Sequence, residues 1–107
     1  MRRGEVWWID FDPSVGGEIR KKRPAVIVSN DLANRYLNRL QVVPLSTKTD
    51  KLYPCEALVD FNGIRSKAMA DQLTTVSKKR LLSRGGELSS QEMESIERII
   101  KLQLDLH

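Results

Sequence analysis

Short segments in which apolar and β-branched residues cluster, or alternate with polar ones, recur along most of the chain and predict β-strands. Four such segments span residues 4–11, 24–28, 40–45 and 55–59. Residues 67–76 are extended in pattern and predict two further short strands around Asp71. The turn-forming runs between the strands are Asp12-Pro13-Ser14 and Asn62-Gly63, and Gly85-Gly86 is expected to break the chain.

Helical patterns are fewer and lie mainly at the end of the chain. Ser89 and Glu92 have the spacing of a capping box, and an apolar stripe at helical spacing follows from Met93 to Ile100. A short helix through about Leu37, capped by Asn30 or Asp31, and a single helical turn over 78–82 are also expected. The pattern therefore predicts an α+β fold, in which a helix covers a small barrel-like sheet of five to seven mostly antiparallel strands.

The length of 107 residues suits one domain, taken here as residues 1–107. Cys55 is the only cysteine, which excludes an internal disulfide and fits a reducing compartment. The basic start precedes an apolar run, residues 6–9, that is shorter than a signal peptide requires. No run approaches the roughly 20 apolar residues of a membrane helix. These features predict a cytoplasmic protein with no membrane association.

The charge is unevenly distributed along the chain. Residues 1–86 carry 16 Lys and Arg against 9 Asp and Glu, whereas residues 87–107 carry 2 against 5. The body is therefore basic and the last segment acidic. A basic body favours a polyanionic partner, such as RNA, DNA or an acidic protein segment, although a solvated basic surface without a partner explains the composition equally well.

The residue types present in the sequence exclude several classes of catalytic site. The one histidine is His107, so no acid–base pair of imidazoles exists, and there is neither a Cys/His cluster for zinc nor a P-loop glycine motif. Asp10 and Asp12 are two residues apart and form the one pair that suggests Mg²⁺. Asp12 precedes a proline, however, which favours a role in the turn. The expectation is a protein without a metal or other cofactor.

The strongest candidate chemistry lies where four consecutive cations, residues 20–23, run into an apolar strand. Arg23 opens that predicted strand, and the hydroxyl pair Ser46-Thr47 closes the next one. If the two strands are antiparallel neighbours, Arg23 and Ser46 meet at one edge of the sheet. A guanidinium and a hydroxyl donor would then face one phosphate and stabilise the charge of a pentacoordinate phosphorus. Glu18 adds a carboxylate to the same loop.

The order of these motifs resembles that of the MazF/PemK family, the toxins of bacterial toxin–antitoxin modules. Five blocks carry the resemblance, which runs from about residue 2 to residue 104. They are residues 3–8, 10–13, 17–29 (Gly17-Glu18 and then Arg23-Pro24-Ala25-Val26-Ile27-Val28-Ser29), 42–47 and 68–73.

The resemblance implies an SH3-like barrel, a homodimer, and a metal-independent endoribonuclease that cuts single-stranded RNA at short sequences. It further implies 2′,3′-cyclic phosphate and 5′-hydroxyl products, and a cognate antitoxin with a flexible acidic segment. The family's arginine before proline falls on Arg23, and its hydroxyl residue falls on Ser46, with Thr47 as the alternative. The acidic loop residue falls on Glu18, the available candidate for a general base.

The expected RNA contacts follow from charge and exposed rings. The backbone contacts predicted for the RNA are Arg20, Lys21, Lys22, Lys48 and Lys51. Tyr53 is the predicted stacking residue. Two other functions remain open at this point: a nucleic-acid-binding barrel without catalysis, and a gyrase poison of the CcdB type. The second requires an aromatic end of the chain, which this sequence lacks.

Overall fold

The computed structural model describes residues 1–13 and 15–107, so Ser14 of the predicted 12–14 turn lies outside the described residues. The strands of the described part are β1 (Glu5–Asp10), β2 (Lys22–Ile27), β3 (Arg39–Ser46), β4 (Glu56–Phe61), β5 (Ile64–Met69), β6 (Thr74–Ser77) and β7 (Leu81–Glu87). The helices are α1 (Asp31–Tyr36) and α2 (Ser90–Gln103), with 3-10 turns at Ala70–Gln72 and Lys78–Arg80.

All strand pairs are antiparallel, and the main order across the sheet is β4-β5-β3-β2-β1-β7. Strand β3 bends the sheet because it changes partner along its length: its first half pairs with β6, and its last residues, Leu45 and Ser46, pair with β5. The result is a curled sheet with a C-terminal helix, which confirms the predicted fold class. None of the helices in the described residues is long and apolar enough to cross a membrane.

Alternation along the strands creates two apolar clusters, one on each side of the curled sheet. On β1, Val6 belongs to the cluster that packs against Met93 and Ile96 of α2, whereas Ile9 belongs to the other cluster. Helix α2 begins as predicted, since Ser89 Oγ accepts from the Glu92 N–H and Glu92 Oε1 accepts from the Ser89 N–H. The capped helix thereby covers one side of the curled sheet.

One local expectation near the C-terminal end is wrong. Gly85 and Gly86 do not break the chain but lie inside β7. A Cβ at Gly85 would stand 2.7 Å from Phe61 Cζ, so the glycine provides space for that ring. The helical turn expected at 78–82 is confirmed as a 3-10 turn over Lys78–Arg80, and it ends there because Leu81 already pairs with Ile9 of β1.

Glu5 joins the start of β1 to β7 and should make stability depend on pH. Burial by itself raises the pKa of Glu5, but hydrogen bonds from Trp7, the Arg2 N–H and Arg84 outweigh burial and lower it to about 2. A lowered pKa in the folded state stabilises the fold above the unfolded pKa near 4.5, and this stability is lost as the pH falls towards 2. We expect Glu5→Gln to cost about 2 kcal/mol at pH 7 and to flatten this acid dependence.

The matched control is Glu87→Gln, since Glu87 pairs with the same Arg84 but its side chain is 66% exposed. Denaturant unfolding at several pH values from 2 to 7 measures both variants. Equal losses for the two variants at pH 7, or an unchanged acid dependence for Glu5→Gln, would contradict the role assigned to Glu5.

Candidate active site

A cavity of about 260 Å³ brings together three of the four predicted catalytic residues. Arg23 at the start of β2 and the Ser46-Thr47 pair at the end of β3 all line it. Trp8 and Phe61 form part of its apolar wall. The cavity therefore combines cationic and hydroxyl groups with flat apolar surfaces.

Strand register explains why Arg23 and Ser46 are neighbours. Ala25 of β2 lies opposite Pro44 of β3, and Val26 lies opposite Val43. Extending this antiparallel register by two residues places Arg23 opposite Ser46. Residues directly opposite each other in an antiparallel pair project to the same face. The two side chains thus start from one rim of the sheet, as the sequence pattern suggested.

The Arg23 guanidinium is held but not neutralised. Its Nε donates to the Arg20 carbonyl at 3.1 Å, and the residue is half-buried. Among residues 1–13 and 15–107, no carboxylate lies within ion-pair distance of this guanidinium. Two terminal nitrogens therefore remain to bind an anion in the forked geometry that suits phosphate.

The two hydroxyl residues at the end of β3 differ in their surroundings. Ser46 is buried, and its Oγ accepts from the Lys48 N–H at 3.2 Å. Within the described part of the chain, its hydroxyl hydrogen has no acceptor in the hydrogen-bond network, so the group remains free to donate. Thr47 is exposed. The Ser46 hydroxyl is oriented by the backbone, whereas Thr47 is free to rotate in solvent.

Glu18 lies apart from this group. Its carboxylate accepts from the Val15 N–H at 3.0 Å and lines a different cavity, of about 330 Å³, together with Asp71 and Thr74. Gln72 holds the surrounding segment in place, because it accepts from the Ile19 N–H and donates to the Gly17 carbonyl, both at 3.2 Å. The structure thus divides the predicted catalytic residues between two cavities.

The predicted RNA contacts also form two groups. Lys21 and Lys22 line the cavity of Arg23, and Arg20 is adjacent to them and donates to the Gly16 carbonyl. The other three, Lys48, Lys51 and Tyr53, are on the β3–β4 loop (residues 47–55), which leaves β3 directly after Ser46. One group of cations therefore directly precedes Arg23 in the chain, and the other follows Ser46.

Sequence reasoning missed several residues that shape this site. Trp8 and Phe61 face the cavity, and Gly85 permits their packing, since a Cβ there would also stand 3.3 Å from Trp8 Nε1. A glycine inside a strand is itself the mark of such a close approach. Lys67, a buried cation on β5 that lies opposite Ser46, was also missed.

Asp10 and Asp12, the pair that suggested Mg²⁺, accept hydrogen bonds from backbone N–H groups. Asp10 Oδ1 accepts from the Asp12 N–H at 3.1 Å, and Asp12 Oδ1 accepts from the Lys21 N–H at 2.9 Å. In the residues that the structure describes, no group of three or more His, Cys, Asp or Glu side chains is placed to hold a metal ion. The aspartate pair thus shapes the connection between β1 and β2.

Comparison with known proteins gives a consistent result over almost the whole chain. The model of the PemK-like, MazF-like toxins of type II toxin–antitoxin systems matches residues 2–104. The Endoribonuclease MazF9 of Mycobacterium tuberculosis is 39% identical, over 99% of this chain and 98% of the relative.

Solved structures share the fold at lower identity. MazF of Deinococcus radiodurans superposes with a TM-score of 0.88 at 20% identity, over 99% of this chain and 97% of the other. An endoribonuclease from a mycobacterial species, solved with its cognate antitoxin, superposes with a TM-score of 0.85 at 24% identity, over 100% and 97% of the two chains.

Proposed function

Because the chain belongs to the PemK-like, MazF-like toxins of type II toxin–antitoxin systems, we propose that it is an endoribonuclease toxin. Its substrate is single-stranded RNA, cut at a short sequence without a metal ion. The observation that carries the proposal is the shared rim of Arg23 and Ser46, which presents an unneutralised guanidinium and a free hydroxyl to one cavity.

The reaction is a transfer within the RNA backbone. The ribose 2′-oxygen loses its proton and forms a bond to the adjacent phosphorus, while the bond from phosphorus to the 5′-oxygen breaks. The leaving 5′-oxygen takes up a proton, so the products carry a 2′,3′-cyclic phosphate and a 5′-hydroxyl. Negative charge accumulates on the non-bridging oxygens of the pentacoordinate phosphorus. Groups that meet this charge lower the barrier most.

Arg23 and Ser46 are assigned to stabilise the negative charge on these non-bridging oxygens. The two free nitrogens of Arg23 bind the non-bridging oxygens in a fork, and Ser46 donates its hydroxyl hydrogen to one of them. Thr47 stays the alternative hydroxyl. The main contribution of Arg23 is charge stabilisation, because a guanidinium offers N–H donors and no acceptor for a proton.

The geometry favours a binding role for Glu18 over proton transfer at the reacting phosphate. Its carboxylate lines the neighbouring cavity with Asp71 and Thr74, where acceptors for the amino and imino groups of an unpaired base are concentrated. An RNA strand that crosses the rim would place its scissile phosphate at Arg23 and a flanking base in this second cavity. Glu18 then contributes to the choice of cutting sequence.

The surrounding cations bind the strand on both sides of the cut. Arg20, Lys21 and Lys22 directly precede Arg23 in the chain, and Lys48 and Lys51 follow Ser46 on the β3–β4 loop. Tyr53 presents a ring that is 58% exposed for stacking against a base. Because each phosphate contact releases counterions, binding should weaken steeply as salt is raised.

The basic rim also suits a protein partner. A cognate antitoxin with a flexible acidic segment would occupy the same basic rim and exclude RNA by competing for Arg23. We further propose that residues 1–107 form one toxin domain, that the toxin is a homodimer, and that it acts in the cytoplasm, where its RNA substrates are made.

The test is incubation of the protein with a long single-stranded RNA and with the DNA of the same sequence, in the presence of a metal chelator. We expect RNA fragments with 5′-hydroxyl ends and intact DNA, because DNA lacks the attacking 2′-hydroxyl. Binding of RNA without any cutting would instead favour a non-catalytic nucleic-acid-binding barrel. Loss of cleavage on chelation would contradict the metal-free mechanism.

A further inference from the structure

A buried ion pair lies next to the proposed active site. Lys67 of β5 is 8% exposed and Glu56 of β4 is 9% exposed, and Lys67 Nζ lies 3.1 Å from Glu56 Oε1. Lys67 also lies opposite Ser46 in the pairing of β3 with β5. Taking two charges out of water is costly unless each finds several good partners. Other contacts of Lys67 and Glu56 must therefore offset part of the free-energy cost of burying the pair.

The other polar contacts of the pair reach the β3–β4 loop. Lys67 Nζ donates to the Lys51 carbonyl at 3.0 Å and lies 5.7 Å from the centre of the Tyr53 ring. Glu56 Oε1 accepts from the Tyr53 N–H at 2.8 Å, while the Glu56 N–H donates to the Tyr53 carbonyl at 2.9 Å. The ion pair thus attaches the loop to β4 and β5 at Lys51 and Tyr53.

We propose that Lys67 and Glu56 are positioning residues, which hold the β3–β4 loop against the sheet so that Lys48, Lys51 and Tyr53 face the RNA beside Ser46. This inference rests on the proposed function. It adds a specific device: two side chains that do not touch the RNA order the loop before the substrate arrives. Ordering the loop in advance removes an entropy cost from RNA binding.

The test uses a double variant, because removing one partner alone would leave an unpaired buried charge and destabilise the fold. Lys67→Met combined with Glu56→Leu removes both charges and both side-chain attachments to the loop while keeping apolar volume. The control is Arg3→Met combined with Glu97→Leu. Arg3 likewise pairs with a carboxylate, at 3.0 Å, and its side chain donates to a backbone carbonyl, that of Val28, which lies outside the β3–β4 loop.

Two measurements are made on the full-length protein. Hydrogen exchange at the Tyr53 N–H should become faster in the Lys67→Met/Glu56→Leu variant, because its acceptor is gone, and should be unchanged in the control. For RNA cleavage, we expect KM to rise about tenfold with kcat within about twofold, since the loop binds the strand less well but the reacting groups stay in place. The slope of log affinity against log salt should fall by about 0.7 for each phosphate that the loop no longer binds.

Unchanged exchange at Tyr53 would overturn the attachment, whether or not the protein cuts RNA. Faster exchange with an unchanged KM and salt slope would overturn the positioning role while leaving the proposed function intact. If the unmodified protein cuts no RNA at all, the proposed function fails by itself, and with it the role of the loop in RNA binding.

Discussion

Replacing Arg23 with alanine is expected to lower RNA cleavage by on the order of 10²-fold or more in kcat. The guanidinium is fixed by a backbone carbonyl and has no carboxylate partner among the described residues. Its removal leaves the charge that develops on phosphorus without its main stabilising group. Single-turnover cleavage of a short RNA at saturating enzyme measures the chemical step directly.

Two further variants test whether the charge or the forked geometry of Arg23 matters for cleavage, and whether the loss of any surface arginine has the same effect. Arg23→Lys keeps the positive charge but loses the fork, so cleavage should stay well below that of the unmodified protein. Arg98→Ala removes an exposed arginine of α2 whose guanidinium donates to Ser95 on the same helix, and cleavage should be unaffected. Near-normal cutting by Arg23→Ala, with its thermal unfolding unchanged, would end the assignment of Arg23.

Replacing Ser46 with alanine is expected to reduce kcat by on the order of 10²-fold, the usual effect of removing one donor to a developing oxyanion. The Ser46 hydroxyl is buried beside the cavity and oriented by the Lys48 N–H, and in the described part of the chain its hydrogen is free to donate. Folding should be little affected, because the change removes a single oxygen that accepts one loop N–H. KM should change less than kcat, since this interaction strengthens in the transition state.

Thr47→Ala is the matched comparison, because it removes a hydroxyl from the next residue, which also lines the cavity but is exposed. We expect its kcat to stay within about threefold of the unmodified protein, since an exposed and freely rotating hydroxyl is poorly prepared to donate. The opposite order, with Thr47→Ala inactive and Ser46→Ala active, would transfer the role to Thr47.

The local structure was largely predictable from the sequence because its causes are local. The capping box at Ser89 and Glu92 specifies where α2 begins, and the two-residue period of a strand places Val6 and Ile9 of β1 in different clusters. The errors arose where a distant residue decides the outcome. Gly85 and Gly86 break a strand by propensity, yet here they extend β7, since the Phe61 ring fills the space that a side chain at Gly85 would need.

The proposed site was also predictable where short-range register decides the geometry, and not where a long loop does. Arg23 and Ser46 stand at the start of one strand and the end of the next, and an antiparallel register is enough to bring them together. Glu18 was expected in the same group, but it lies in a long connection whose path is decided by contacts with Gln72, far along the chain. Loop paths of this kind depend on partners that spacing along the chain does not specify.

The sequence by itself determined the strand and helix segments other than β7, the basic body, and the arginine and serine that belong to one rim, because periodicity, capping and register act over short distances. Only the tertiary structure decided that Glu18 lines a separate cavity and that β7 runs through two glycines. It alone also decided that Lys67 and Glu56 meet beneath the β3–β4 loop. These features depend on contacts between residues that are far apart in the chain. A buried charge or ring meets its partner only after the strands have paired into the curled sheet.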